Sequence, residues 1–191
     1  AKYIRIFTPT NDFIKANFIT FNYSLNINPK SLLNSPDLKG IKKLLSRMNL
    51  ITSLQTSKKS VAKGSFEFNP FKYDLTDTAL VTLNTTLLNT LSFNRFSSKW
   101  GFDLSNIRNN GKSLLTYGYE SRKLNDWILK WRWNVSRSLL FSMNGKKGEN
   151  TLLTPQFANR NYQLSIYAAE PFLTFIRGTS FRLVTSYKFE N

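Results

Sequence analysis

The side chains of this chain allow little bond-making chemistry. It holds no His and no Cys. That removes Ser-His-Asp and Cys-His nucleophilic sites, imidazole acid–base catalysis and thiolate or imidazole metal ligation. Carboxylates remain, 11 in all. Asp74 and Asp77 flank a predicted turn, with Glu67 on a nearby strand. Two such groups are what glycoside hydrolysis requires, but loop carboxylates are usually solvated or paired with basic neighbours. "GKKGEN" and "KSVAKG" are not phosphate loops, because neither has the strand-to-helix setting or the Gly-Lys-Ser/Thr ending. The expectation is no enzyme, no cofactor and no metal.

A different chemistry stands out in "DWILKWRWNVSRSLLFSM" (126–143), which contains three of the four tryptophans. Read with the two-residue period of a strand, Trp127, Leu129, Trp131 and Trp133 share one face, and Lys130 and Arg132 take the other. A single-strand nucleic-acid platform needs rings and cations on the same exposed face, so that bases stack while phosphates are neutralised. The separation argues against nucleic acid. It fits a strand with a different solvent on each side.

The elements that would position these faces are mostly strands. "FITFNYSLNIN" sets Ile19, Phe21, Tyr23, Leu25 and Ile27 against Thr20, Asn22, Ser24 and Asn26. "KWGFDLSN" groups Trp100, Phe102 and Leu104; "SLLTYGYES" groups Leu115, Tyr117 and Tyr119. "FRLVTSYKF" sets Phe181, Leu183 and Tyr187 against Arg182, Ser186 and Lys188. "ALVTLNTTLLNTLSF" admits a long strand or, from Leu80, Leu83, Leu87 and Leu91, a helix. "RNNGK" reads as a hairpin turn, "RKLND" as a polar link, "NGKKGENTLLTPQFANR" as a long loop, and Glu170-Pro171 as a strand end or bend. Ser35, Pro36 and the spacing of Leu38, Ile41, Leu45 and Met48 predict one short basic amphipathic helix over 36–48, within a loop insertion at 31–48. The whole gives nine or ten strands of about 8–12 residues, near the 9–11 of a tilted membrane strand and longer than the usual 5–6.

An apolar face needs cover: a second sheet, the inside of a small barrel, or lipid. Trp, Tyr, Phe and Leu in succession suit lipid, which imposes no jigsaw, and Trp and Tyr favour the headgroup depth. The expected fold is therefore all-β, an antiparallel up-and-down transmembrane barrel or an arc of one, forming a single region over 1–191 of a longer chain. Its lipid-facing girdle is Ile19, Phe21, Tyr23, Leu25, Ile27, Trp100, Phe102, Tyr117, Tyr119, Trp127, Leu129, Trp131, Trp133, Phe181, Leu183 and Tyr187. Its lumen-facing cations are Lys130, Arg132, Arg182 and Lys188. The net charge of +16 predicts attraction to polyanions. The alternative is a soluble basic β-sandwich or barrel that binds nucleic acid or acidic polysaccharide.

"NPFKYDLTDTALVTLNTTLLNTLSFNR", "KWGFDLS", "KSLLTYGYESRKLNDW" and "NRNYQLSIYAAEPFLTF…TSFRLVTSYKFEN" resemble the C-terminal barrel regions of large outer-membrane β-barrel proteins of Bacteroidota. The resemblance covers residues 64–191. It rests on strand patterns and transfers no active site. It implies a bacterial outer membrane and a role as scaffold, pore or export and assembly subunit. The implied partners are outer-membrane lipid, lipopolysaccharide and other outer-membrane or surface lipoprotein subunits.

Overall fold

Alternating Thr, Asn and Ser with Leu and aromatics favours extended backbone over helix, because β-branched and ring side chains pack well on a pleated surface. The computed structural model describes residues 14–32, 39–61, 69, 71, 75, 79–115, 118–178 and 181–191. They form one antiparallel sheet of nine strands in the order of the sequence: β1 (Ala16–Ile27), β2 (Met48–Val61), β3 (Leu80–Phe93), β4 (Trp100–Leu115), β5 (Gly118–Asn134), β6 (Leu139–Leu153), β7 (Tyr162–Arg177) and β8 (Phe181–Ser186), with the two-residue β9 (Phe189–Glu190) also on β7. The sheet is open, with β1 at one edge and β8 at the other. The up-and-down all-β architecture is as expected. Most strands are longer than expected, up to 17 residues in β5.

Pairing overrides several local signals. The hairpin expected at "RNNGK" lies inside β4, where Asn109, Asn110 and Gly111 pair with Leu124, Lys123 and Arg122. The chain passes from β4 to β5 only across Thr116 and Tyr117, which lie outside the described residues. A local Asn-Gly preference is small beside a ladder that pairs all 16 residues of β4 with β5. The polar link "RKLND" is the middle of β5, and most of the loop expected from 144 is the second half of β6. The stretch 80–93 is strand rather than helix because it is paired on both sides.

The single helix expected over 36–48 is corrected to two short ones, α1 (Pro29–Leu32) and α2 (Ile41–Leu45). Residues 33–38, with the expected cap at Ser35, lie outside the described residues, and Met48 already belongs to β2. Gly40 precedes α2 at φ 60, a conformation open to glycine, so α2 starts where the backbone has turned. Among the described residues no helix is long and apolar enough to cross a membrane.

Pro171 does not end its strand; β7 runs through it. The break falls on the neighbour instead. β8 and β9 pair with β7 in one continuous register, Phe172 to Ser186 and Ala168 to Glu190, with Tyr187 and Lys188 between. Tyr187 donates to the Pro171 carbonyl (3.2 Å), but proline has no N–H to return. Pro171→Ala restores the donor while freeing the unfolded backbone. We expect a slowly exchanging new amide at 171 and a net stability change within about 1 kcal/mol; amide hydrogen exchange in detergent measures both.

Candidate functional site

Antiparallel pairing puts directly opposed residues on the same face, so the register assigns the side chains of β1–β8 to one of two faces, apart from the shift at Lys59–Ser60 opposite Leu80–Thr82. The first face carries an apolar belt at the end of the sheet marked by Ile27, Met48, Phe93 and Trp100. One row runs Ile27, Leu50, Leu91, Leu104, Leu129. The next runs Met48, Phe93, Phe102, Trp131, Met143, Pro171. A third runs Trp100, Trp133, Phe141, Leu173. The rings form two groups: Phe93 stacks on Phe102 at 5.6 Å, and Trp131 stacks on Trp133 at 6.2 Å while Phe141 meets Trp131 edge-on at 5.6 Å.

Nothing among the described residues covers the belt. Trp100, Trp133, Leu173, Phe175 and Leu183 are all exposed, Trp133 by 45%. Across the described residues only Leu54, Leu80 and Leu83 are buried apolar side chains, against 29 exposed large ones. Isolated exposed apolar residues need no explanation, but a contiguous exposed patch marks a surface that meets something apolar.

Beyond the belt the same face turns polar. Asn89 and Asn106 sit opposite each other, followed by Arg108, Asn110 and Lys112 on β4 with Asn125, Lys123 and Ser121 on β5. Asn106 donates to Asn125 Oδ1 at 2.9 Å, and Thr52 to Asn89 Oδ1 at 2.6 Å. The Lys112 ammonium lies 4.2 Å from the centre of the Tyr119 ring. The belt is thus a zone at one end of strands that run on past it.

The second face is built on charge. Asp103, Lys130, Asn144 and Glu170 lie in one cross-strand row. The register on either side of Lys188 continues that row to it. Lys146 Nζ lies 3.0 Å from Asp126 Oδ2 and Lys188 Nζ 2.6 Å from Glu190 Oε2. Ile107, Leu124, Ile128 and Ile166 are interspersed, so the face is mixed rather than wholly polar.

The sequence-predicted residues separate along these faces. Ile19, Phe21, Tyr23, Leu25, Ile27, Trp100, Phe102, Tyr119, Trp127, Leu129, Trp131, Trp133, Phe181 and Leu183 share the belt's face, and Lys130, Arg132 and Arg182 take the other. Ile19, Phe21 and Tyr119 lie in its polar half, opposite Lys58, Thr56 and Leu114. Tyr117 lies outside the described residues, as do Glu67, Asp74 and Asp77. Sequence reading offered Glu170 an ion-pairing role on this face but missed Asp103, Asp126, Lys146 and Glu190. Their parity within the strands was the available signal; taking 144–153 as a loop hid the Lys146 part of it.

Arg132 has a local task on the second face. Its Nη2 donates to the carbonyls of Asn94, Arg95 and Ser97, holding the β3–β4 connection (94–99) against β5. Asn134 joins it, its backbone N–H donating to Lys99 O at 2.7 Å. Gly101, opposite Arg132 on the same face, leaves the room: a Cβ there would lie 2.8 Å from Asn94 O and 3.0 Å from Phe93 O. Both obstacles are backbone, which yields little. Gly101→Ala is expected to cost about 1–3 kcal/mol, seen as an earlier urea midpoint.

No family model, curated protein or solved structure matches this chain, and the geometry of the two faces is what a functional reading rests on.

Proposed function

We propose that this sheet is part of the wall of a bacterial outer-membrane β-barrel, acting as a scaffold, pore or subunit of an export or assembly complex, with no bond-making residues. The observation that carries the reading is the division of one continuous sheet into an uncovered aromatic and leucine belt on one face and a cross-strand charge row on the other. A barrel wall in lipid needs both: an outward apolar band with aromatic residues at the interface, and a wet interior where charges pair. Strand length supports it. β2–β7 have 14–17 residues, enough to span and continue beyond a membrane that asks for about 9–11. The backbone argument agrees for the interior strands β2–β6, which are paired on both sides and satisfy their N–H and C=O groups without water; the free edges of β1 and β8 would need further strands to close the wall. The pattern resemblance to Bacteroidota barrel regions points the same way.

The test is physical state. The full chain folded in zwitterionic detergent should migrate differently in SDS before and after boiling, and should stay with vesicles through alkaline carbonate washing. A monodisperse, detergent-free soluble monomer with salt-sensitive heparin or oligonucleotide binding overturns the reading in favour of a soluble polyanion binder.

A further inference from the structure

The belt end of the sheet carries a second specialisation, in charge. Its connections, 28–47, 94–99, 135–138 and 178–180, contain eight Lys and Arg and one acidic residue. The connections at the other end, 62–79, 116–117 and 154–161, contain three basic and three acidic residues. The excess of +16 is therefore concentrated partly at the rim adjoining the belt, not spread evenly over both ends. That rim is also apolar: Phe96 is 79% exposed at the β3–β4 connection, and Ile41 and Leu44 are exposed on α2 beside Lys42 and Lys43. Cations and exposed apolar side chains side by side are what a membrane interface selects, the chains entering the acyl boundary and the charges meeting phosphate.

Within the rim the structure holds a shaped recess. A cavity of about 380 Å³ opens between the β1–β2 and β3–β4 connections, and its lining includes Lys30, Arg47, Arg95 and Lys99 with Phe96 and Trp100. Among the described residues no carboxylate lines it and none of the four cations makes an ion pair. Its two walls are tied together, because Asn94 N–H donates to Arg47 O at 2.9 Å. One wall is fixed to β5 through Arg132. Trp100 belongs both to the cavity and to the last row of the belt, so a molecule in the cavity has an apolar surface directly beside it.

We infer that this cavity binds the phosphate of an anionic lipid headgroup, with the lipid's acyl chains lying along the belt next to Trp100. Four cations with no acid among the described lining residues select an anion, and arginine forks match phosphate oxygens. The adjoining belt is what distinguishes a lipid phosphate from a free one. The inference rests on the proposed membrane reading, and it places the basic end of the sheet at a leaflet that presents anionic headgroups.

Native mass spectrometry of the full chain in non-ionic detergent tests it, with short-chain phosphatidylglycerol, short-chain phosphatidylcholine and inorganic phosphate as probes. One phosphatidylglycerol should be retained in preference to phosphatidylcholine. The variant Lys30→Gln/Arg47→Gln/Arg95→Gln/Lys99→Gln should weaken it at least tenfold. A control that removes the same charge elsewhere, Lys15→Gln/Lys59→Gln/Lys123→Gln/Arg160→Gln, should weaken it less than threefold. If the fourfold cavity variant does not fold, the pairs Lys30→Gln/Arg47→Gln and Arg95→Gln/Lys99→Gln should each show at least a threefold loss. Equal losses in cavity and control variants, or no preference for phosphatidylglycerol, overturn the site. Displacement by inorganic phosphate as effective as by the lipid overturns the lipid assignment. Heat-modifiable migration and carbonate resistance are scored on the same samples: if they persist while the preference is absent, the headgroup site fails and the membrane reading stands; if they are absent, the membrane reading itself fails.

Discussion

On the proposed barrel reading, Leu129→Arg should lower the stability of the protein folded in lipid vesicles by about 2–4 kcal/mol, the cost of an arginine on a lipid face near mid-membrane. Leu129 sits in the leucine row, opposite Leu104 and Gly145, with Trp127 and Trp131 two positions away on the same face. No acidic side chain lies directly opposite to receive the new charge. The control is Asn144→Arg, on the other face between Lys130 and Glu170. An arginine there gains Glu170 and meets Lys130, and should change stability by less than about 1 kcal/mol. Urea titration of both variants in vesicles, followed by tryptophan fluorescence, makes the comparison. Equal losses on the two faces would mean that both meet the same environment, which a wall between lipid and water cannot allow.

The second large effect is expected at Arg132. Removing it in Arg132→Ala leaves the carbonyls of Asn94, Arg95 and Ser97 without their shared donor. Hydrogen bonds to a charged group contribute more than neutral ones; because this side chain is partly solvated, the loss should total about 1–3 kcal/mol. Arg132→Lys should recover only part of it, since an ammonium cannot reproduce the planar fork. A more specific readout is trypsin cleavage of the vesicle-embedded protein after Arg95 or Lys99, which should accelerate in Arg132→Ala and much less in Arg132→Lys. Unchanged cleavage in both would show that the connection is held by β3 and β4 alone.

The two faces were legible in the sequence because a strand's side chains alternate whatever the rest of the fold does. Trp127, Trp131 and Trp133 could be separated from Lys130 and Arg132 before any pairing was known, and the register leaves that separation intact. Where strands begin and end was less legible. Asn-Gly at 110–111 and the polar run at 144–150 carry strong local turn and loop preferences, yet each lies within a long ladder that satisfies every backbone group. Pairing is a sum over many residues, and no short window contains it. Pro171 illustrates the same limit: its missing donor was visible, but whether β7 or its neighbour would bear the interruption depends on which strand the Pro171 carbonyl faces. The cavity at the belt end was not legible at all, because Lys30, Arg47, Arg95 and Lys99 come from two connections separated by the lengths of β2 and β3.

The strict order of the strands has a consequence for how such a wall grows. Each strand from β1 to β8 is bonded to the strands before and after it in that series, β7 taking the two-residue β9 as well. Pairing from β1 to β8 is therefore between consecutive strands throughout. Duplicating or deleting one whole hairpin would leave every other register as it is and change the width of the sheet by two strands. On the proposed barrel reading, circumference could thus be revised a pair of strands at a time, with the belt and the charge row extended by copying.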